Sequence, residues 1–180
     1  MNKFATAVAA ILLSTHAGAA AADPLAEWAG FWQGHCTLSP AYQGVSRLEA
    51  SLTVEPGASG RYAWRLVYEA NGPMARSVRN YELVPVDAAR GHYVLDEKNG
   101  LLLDAFLAAR ALHFYFAIGG TRIPALYVMQ DVLLTGREIV ASLPAFAQSP
   151  VRNSCAGSQC ADSYRLNATQ ICRLQRRRPI

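Results

Sequence analysis

The four cysteines are the residues whose type and spacing most directly suggest chemistry. They are Cys36, Cys155, Cys160 and Cys172. An even number of cysteines in an exported chain favours disulfides over a metal site, because compartments outside the cytoplasm are oxidising. A zinc site would need closer pairs and reducing surroundings, so we expect no metal. The short segment between Cys155 and Cys160 can curl back, which favours this pair and leaves Cys36 to bond Cys172. The two other pairings stay open.

Three histidines outside the N-terminal segment could act as a base, but they form no recognised catalytic motif. They are His35, His92 and His113. His113 alternates with the apolar Leu112 and Phe114, so its side chain should point to solvent, and His35 alternates outward in the same way. No serine, cysteine or carboxylate near either one completes a nucleophile motif. We therefore expect a protein that is not an enzyme, while a catalytic group assembled only in three dimensions stays open.

Asp104 is the best candidate for a functional carboxylate. It follows the turn that contains Gly100, and the length of this turn decides which way it faces. A two- or four-residue turn would put Asp104 on the same face as Tyr93, Leu95 and Phe106, as a charge inside an apolar barrel that could orient a polar ligand. A three-residue turn ending in Gly100, which we favour, turns Asp104 outward. Tyr93 and Asp104 are both kept as candidate ligand-binding residues.

An aromatic set could line a ligand cavity, with tyrosine hydroxyls as polar anchors. Its members are Tyr62, Trp64, Tyr68, Phe114 and Phe116. The alternative is a filled core. Side chains nearly fill a barrel of eight strands, whereas ten strands leave more room, so both interpretations stay open.

The first 22 residues have the pattern of a secretory signal peptide. One lysine, Lys3, precedes an apolar run from Phe4 to Leu13, and small residues end the segment before Asp23. No other stretch approaches the roughly 20 apolar residues of a spanning helix. We therefore expect residues 23–180 to form one exported domain, located in the periplasm or secreted.

The charge of the chain gives no reason to expect a nucleic acid partner. Without Lys3, 16 of the 17 basic residues remain against 13 acidic ones, and the arginines at 176, 177 and 178 account for the difference of three. Such a short basic tail is typical of a solvated terminus.

The rest of the chain alternates apolar and polar residues with a period of two, which is typical of strands with one buried face. In residues 45–55 the even positions from Leu48 to Val54 are apolar, and in residues 61–69 four large apolar or aromatic side chains share one face. Turn residues separate most of these segments. Further strands are predicted at residues 31–38, 77–85, 91–97, 101–108, 112–118, 125–134, 137–143 and 164–174.

About ten short strands joined by tight turns predict an all-β fold, a closed antiparallel up-and-down barrel of about 8 to 10 strands, because closure removes exposed sheet edges. A short helical turn at residues 23–28 precedes it, since Asp23 can cap the turn and Pro24 can begin it. If the first and last strands are neighbours, Cys36 and Cys172 both point inward. Residues 144–163 are predicted to be a loop at one rim, tightened by the other two cysteines.

Gly30-Phe31-Trp32 at the start of the first strand, after a helical turn, resembles the Gly-x-Trp signature of the calycin barrels, which include lipocalins, fatty-acid-binding proteins and nitrobindin-like proteins. The resemblance implies that Gly30 and Trp32 have structural roles and that Trp32 packs across the closed end of a barrel. It also implies an arginine of the last strand over that tryptophan, and Arg173 is the nearest candidate. Nitrobindin-like proteins bind haem through a histidine near the C-terminus; no histidine follows His113 here, so we expect no cofactor.

These observations favour an exported, soluble β-barrel that binds a small, mostly apolar ligand. The first alternative is an interaction module with a filled core, such as an inhibitor of a periplasmic or secreted enzyme, which would contact its protein partner through residues 144–163. The second is an outer-membrane β-barrel, whose strands alternate in the same way with the apolar face outward.

Overall fold

Ten antiparallel strands follow one another around a closed barrel in the computed structural model, which describes residues 23–177. Each strand pairs with its neighbours in sequence, and β1 pairs with β10 to close the sheet. The predicted fold class is therefore confirmed, with the upper strand number. The predicted signal peptide and Arg178 lie outside the described residues. The strands are β1 (Gly30–Tyr42), β2 (Val45–Pro56), β3 (Tyr62–Tyr68), β4 (Ser77–Asp87), β5 (His92–Asp96), β6 (Leu102–Ala108), β7 (Ala111–Ile118), β8 (Thr121–Val132), β9 (Gly136–Ala156) and β10 (Gln159–Arg177).

The period of two places the apolar side chains inside the barrel, as predicted. On β2, Leu48, Ala50, Leu52 and Val54 are buried while the residues between them are more exposed. The same alternation holds on β3, where Tyr62, Trp64 and Leu66 are buried. Removing these side chains from water is the main stabilising contribution to the fold. No helix among residues 23–177 is long and apolar enough to cross a membrane.

One end of the barrel, where β1 begins, is covered by the N-terminal segment, and we call it the closed end. A single 3-10 turn at Ala26–Trp28 lies across it and buries Leu25 and Trp28. The carboxylate of Asp23 accepts a hydrogen bond from the Leu25 amide at 2.9 Å, which fixes the start of this turn. The predicted helical turn is therefore present, but it begins at Ala26 after Leu25 in the N-cap position, so Asp23 and Pro24 precede the turn instead of capping and beginning it.

Trp32 lies fully buried at the closed end, as the calycin resemblance implies. Its indole Nε1 donates to the carbonyl of Trp28 at 2.9 Å. The arginine over its ring is Arg176, at 5.4 Å, and the expectation for Arg173 is wrong. Arg173 lies on the outer face of β10 and donates to Glu138 at 3.3 Å, whereas Arg176 is directly opposite Trp32 in the strand register. Gly30 makes room for it, since a Cβ there would lie 3.2 Å from the Arg176 guanidinium.

The seam between β1 and β10 is joined by a disulfide. Cys36 is directly opposite Cys172 in the register, both are buried, and the structure bonds them as predicted. The second predicted pair, Cys155 with Cys160, is also bonded, across the end of β9 and β10. Disulfides of this kind are typical of proteins that fold in an oxidising compartment.

The prediction of a loop at residues 144–163 is wrong, because this segment forms a β-hairpin. β9 continues to Ala156 and β10 begins at Gln159. The pairing of β9 with β8 ends at Ala147, and that of β10 with β1 begins only at Thr169. Residues 148–168 therefore project as a two-stranded ribbon, which we call the β9–β10 ribbon. The prolines and turn-forming residues of this segment favoured an irregular loop in the sequence. In the structure, pairing between β9 and β10 holds it as two strands, although bulges interrupt the pairing.

Candidate functional site

The end of the barrel opposite the N-terminal turn, the open end, contains a cavity of about 280 Å³. Trp64 and Phe114 form its inner walls, and Phe116 and Leu143 lie nearer the mouth. Both Trp64 and Phe114 are buried against the core, so the cavity is an extension of that core left unfilled. We call it the aromatic cup.

Four of the candidate ligand-binding residues line the aromatic cup. They are Trp64, Tyr68, Phe114 and Phe116. They come from β3 and β7, which are not adjacent in the sheet, so the curvature of the barrel brings their inward faces together. The sequence was sufficient to predict that these four side chains point inward, because apolar and polar residues alternate regularly along both strands.

Tyr62 and Tyr93, two other candidates, are buried but do not line the cup. Tyr62 donates a hydrogen bond from its hydroxyl to the Asp23 carboxylate at 2.7 Å. Burial and the negative charge of Asp23 raise the pKa of both tyrosines above its usual value. Their position near Asp23 gives them a structural role, which is to hold the N-terminal segment against the closed end.

Asp104 lies outside the barrel, so its candidacy as a cavity residue is wrong. Glu97 donates its amide to the Leu101 carbonyl at 3.0 Å, which makes a three-residue turn that ends in Gly100 with a φ of +95°. This is the register that we favoured. Asp104 is 65% exposed and lies 2.7 Å from the His92 Nε2. The His92 ring in turn stacks on Phe106 at 4.7 Å.

Two tyrosines that line the cup were not among the predicted site residues. Tyr81 of β4 and Tyr127 of β8 both line it. Each lies on the inward face of its strand, since Tyr81 is directly opposite Trp64 and Tyr127 is directly opposite Leu112. The sequence does contain a pattern that identifies Tyr127, because this residue alternates with Ala125 and Met129. It was missed because no inward face was assigned to the predicted strand at residues 125–134.

Tyr127 is the centre of the aromatic wall. Its ring makes edge-to-face contacts with Trp64 at 5.6 Å and with Phe114 at 6.0 Å between centroids. The residue is only 9% exposed, and its hydroxyl makes no hydrogen bond to any residue in the described part of the chain. Burial, followed by the proximity of Tyr68 and Tyr81, raises the pKa of Tyr127 well above its usual value. The hydroxyl therefore stays protonated at physiological pH.

Tyr68 is oriented by a side chain from the last strand. Gln170 donates from Nε2 to the Tyr68 hydroxyl oxygen at 2.8 Å. Burial raises the pKa of Tyr68, although the Gln170 hydrogen bond acts in the opposite direction. Because Gln170 uses an acceptor position of this oxygen, the Tyr68 proton is free to be donated elsewhere.

Two charged side chains lie at the mouth of the cup. Arg79 is on β4 and Glu97 is in the turn after β5, and they form no ion pair with each other in the structure of residues 23–177. The pKa of Tyr81 is raised by burial first and then by Glu97, while Arg79 lowers it. Because Arg79 and Glu97 carry opposite charges, the mouth of the cup is close to neutral.

An apolar depression of about 360 Å³ continues from the cup toward β1. It shares Phe116, Leu143 and Gln170 with the cup, and Leu38 and Ile123 extend its apolar surface. The lining of the cup contains one arginine and one carboxylate but no histidine, serine or cysteine. No group of three metal-ligating side chains is close enough to hold a metal ion within residues 23–177. The arrangement is suited to holding an apolar molecule by contact and hydrogen bonds.

No protein-family model matches this chain, and comparisons with curated proteins and with solved structures found no significant similarity. The resemblance to calycin barrels extends as far as the closed antiparallel barrel of ten strands, which is compatible with it.

Proposed function

We propose that this protein is an exported β-barrel that binds a small, mostly apolar molecule in the aromatic cup and does not catalyse a reaction. The cavity between Trp64, Phe114 and Tyr127 is the observation that carries the proposal. Ligand sites are usually concave and mostly apolar, with a few polar groups, and have volumes of about 300 to 1,000 Å³. The aromatic cup has this composition and lies at the lower limit of size.

Export to the periplasm or the medium is part of the same proposal. It is supported by the signal-like N-terminal segment and by two disulfides among the described residues. In such a compartment the protein would meet small molecules that have crossed an outer barrier or have been released from cells.

Native mass spectrometry of the mature protein tests this proposal. We expect an excess mass that is lost on denaturation. Ala125, which lines the cup, gives a variant that fills it, Ala125→Phe. Ala63→Phe is the matched control, because Ala63 is on the exposed face of β3. The control should keep the excess mass and the cup variant should lose it. A wild-type protein with no excess mass would contradict the proposal and favour the candidate described next.

The β9–β10 ribbon supports a second candidate function, the interaction module with a protein partner. Its residues from 148 to 163 are all exposed, and both outer edges lack a neighbouring strand. Val151 is 63% exposed and Leu166 is 51% exposed. Unpaired edges can accept a strand from another protein. A photoreactive amino acid at Val151 should crosslink to one periplasmic or secreted protein, whereas the same group at Phe106, exposed on β6, should not. Equal crosslinking at both positions would contradict a specific role of the ribbon.

The outer-membrane alternative is not favoured by the distribution of side chains. An outer-membrane barrel has an apolar belt on its outer surface, whereas here the large apolar side chains are gathered in the interior. Charged side chains such as Glu49 and Arg65 are exposed on the outer face of β2 and β3. Release of the protein from membranes by a salt wash is therefore expected.

A further inference from the structure

Resting on the proposed function, we infer the chemical class of the ligand: an uncharged, ring-containing molecule of about a dozen non-hydrogen atoms, with one group that accepts a hydrogen bond from Tyr127. Three features of the aromatic cup support this class. They are its volume, the unpartnered Tyr127 hydroxyl, and the position of its charges at the mouth.

The volume sets the size of the ligand. A dry cavity of about 150 Å³ in a protein core is known to hold benzene. The cup, with about 280 Å³, has nearly twice that room. A single ring with a short substituent fits within the cup itself, whereas a long acyl chain would have to extend into the adjoining apolar depression.

The walls favour a ring over a linear chain. Trp64 and Phe114 both contact the Tyr127 ring at steep angles, with interplanar angles of 87° and 72°. A planar ligand placed between these faces and edges can stack on one wall while it makes edge contacts with another. A flexible chain would lose more conformational freedom for the same contact area.

Tyr127 provides the reason to expect an acceptor. Its side chain is more than nine-tenths buried and its hydroxyl lacks a partner in the described part of the chain. The hydroxyl oxygen stays open to the space of the cup, because the only fully buried side-chain nitrogen or oxygen without a partner among residues 23–177 is Arg110 Nε. A ligand that fills the cup without a hydrogen-bonding group would leave this hydroxyl unpaired, whereas a ligand oxygen that accepts its proton avoids that cost. Tyr68 offers a second proton, because Gln170 already occupies an acceptor position of its oxygen. The cup thus offers two hydroxyl protons, from Tyr127 and Tyr68, to a ligand oxygen.

The charges indicate that the ligand is uncharged. The polar groups deep in the cup are the neutral side chains Tyr68, Tyr127 and Gln170, while Arg79 and Glu97, of opposite charge, lie with Tyr81 toward the mouth. An ion moved into the cup would lose its hydration without meeting a counter-ion of sufficient strength. An uncharged carbonyl or ether oxygen loses far less hydration free energy on transfer into the cup. A hydrogen bond from a tyrosine hydroxyl can compensate this loss.

Isothermal titration calorimetry at neutral pH with four probes tests the hydrogen-bond acceptor and the absence of charge separately. The probes have nearly equal size and share a phenylalkyl body. Benzylacetone has a carbonyl, butylbenzene has no polar group, hydrocinnamate is an anion and phenylpropylamine is a cation. We expect benzylacetone to bind about 3- to 10-fold more tightly than butylbenzene, which is the effect of one net hydrogen bond. Both ions should bind at least about 10-fold more weakly than benzylacetone.

Tyr127→Phe isolates the hydrogen bond, because it removes only the hydroxyl. We expect the advantage of benzylacetone over butylbenzene to disappear in this variant, while butylbenzene binds at least as tightly as it does to the wild type. Tyr115→Phe is the matched control, since Tyr115 is exposed on the outer face of β7. It should bind all four probes as the wild type does.

Each other outcome overturns a defined part of the inference. Equal binding of benzylacetone and butylbenzene overturns the acceptor, and tightest binding of an ion overturns the uncharged class. If none of the probes binds but the native mass spectrum shows a bound molecule, the inferred class fails and the proposed function stands. If none binds and the native mass also shows no excess, both fail.

Discussion

Gly34 illustrates how a single residue is fixed by the closure of the barrel. It lies on β1 between Ala50 of β2 and Leu174 of β10. A Cβ at this position would lie 1.9 Å from the carbonyl oxygen of Arg173. That atom belongs to the backbone of the seam, which cannot move aside without loss of strand pairing.

Gly34→Ala is therefore expected to destabilise the protein by about 1 to 3 kcal/mol, the usual cost of overpacking. Urea denaturation followed by tryptophan fluorescence measures the change. Gly57→Ala is the matched control, because its nearest neighbour would be at 3.4 Å, and it should change the stability little. Similar stabilities for the two variants would show that the seam tolerates a side chain.

Asp131 links stability to pH at the closed end. Its carboxylate accepts a hydrogen bond from Arg110 Nη1 at 2.7 Å, and this bond, with the nearby charges of Arg110 and Arg137, lowers the pKa of Asp131 below its usual value. A lowered folded pKa means that the folded state binds fewer protons than the unfolded state. The stabilisation is therefore present above the ordinary aspartate pKa and is lost as the pH falls toward the lower folded value.

We expect Asp131→Asn to lower the thermal midpoint slightly at neutral pH and to match the wild type when the pH falls well below about 3.9. Thermal unfolding at a series of pH values measures this convergence. Glu55→Gln provides a control, because Glu55 is exposed and forms no ion pair in the structure of residues 23–177. A difference between Asp131→Asn and the wild type that stays constant with pH would contradict the assigned ion pair.

At the scale of elements, the two disulfides have different tasks although both join paired strands. Cys36 and Cys172 are 136 residues apart and join the first strand to the last, whereas Cys155 and Cys160 are 5 residues apart at the end of the exposed β9–β10 ribbon. A crosslink that closes a long segment restricts the unfolded chain more strongly. The seam disulfide also ties together the two strands on which closure depends.

Replacing Cys36 and Cys172 by alanine is expected to lower the free energy of unfolding by about 4 kcal/mol. Replacing Cys155 and Cys160 should lower the free energy of unfolding of the barrel by less than about 1 kcal/mol, since residues 148–163 of the ribbon are all exposed. Urea denaturation of the two double variants compares them directly. A larger loss for the second variant would show that the ribbon is part of the cooperative unit.

At the scale of the whole molecule, the barrel is closed at one end by the N-terminal turn and hollow at the other. Trp28 and Trp32 fill the closed end, whereas the space beyond Trp64 is left as the aromatic cup. Binding in the cup would involve strands from both sides of the barrel, because Tyr68 is on β3 and Tyr127 is on β8. A ligand would thus stabilise the whole cooperative unit.

Benzylacetone at one hundred times its dissociation constant is expected to stabilise the protein by about 2.7 kcal/mol. Thermal unfolding at several ligand concentrations measures this shift. Ala125→Phe should abolish it by filling the cup, and Ala63→Phe on the outer face should retain it. The same shift in both variants would place the binding outside the cup.

The sequence by itself determined the period of the strands and the inward and outward faces of most of them, and it favoured the cysteine pairing that the structure shows. The period and the faces depend only on residues near one another in the sequence. The cysteine pairing follows from the number of strands, because closing the barrel brings the first and last strands together. Alternation identified Trp64, Tyr68, Phe114 and Phe116 as inward, and the structure brings these four together in the cup.

The tertiary structure alone decided the depth of each side chain along the barrel axis. Period two assigns a face but not a level, so Tyr62 and Tyr93 were grouped with Tyr68 although they lie toward the other end. Level and register also decided that Arg176, not Arg173, covers Trp32, and that residues 148–168 form a ribbon. These relations join strands distant in sequence, and only the closed sheet, with its turns and bulges, fixes the register between them.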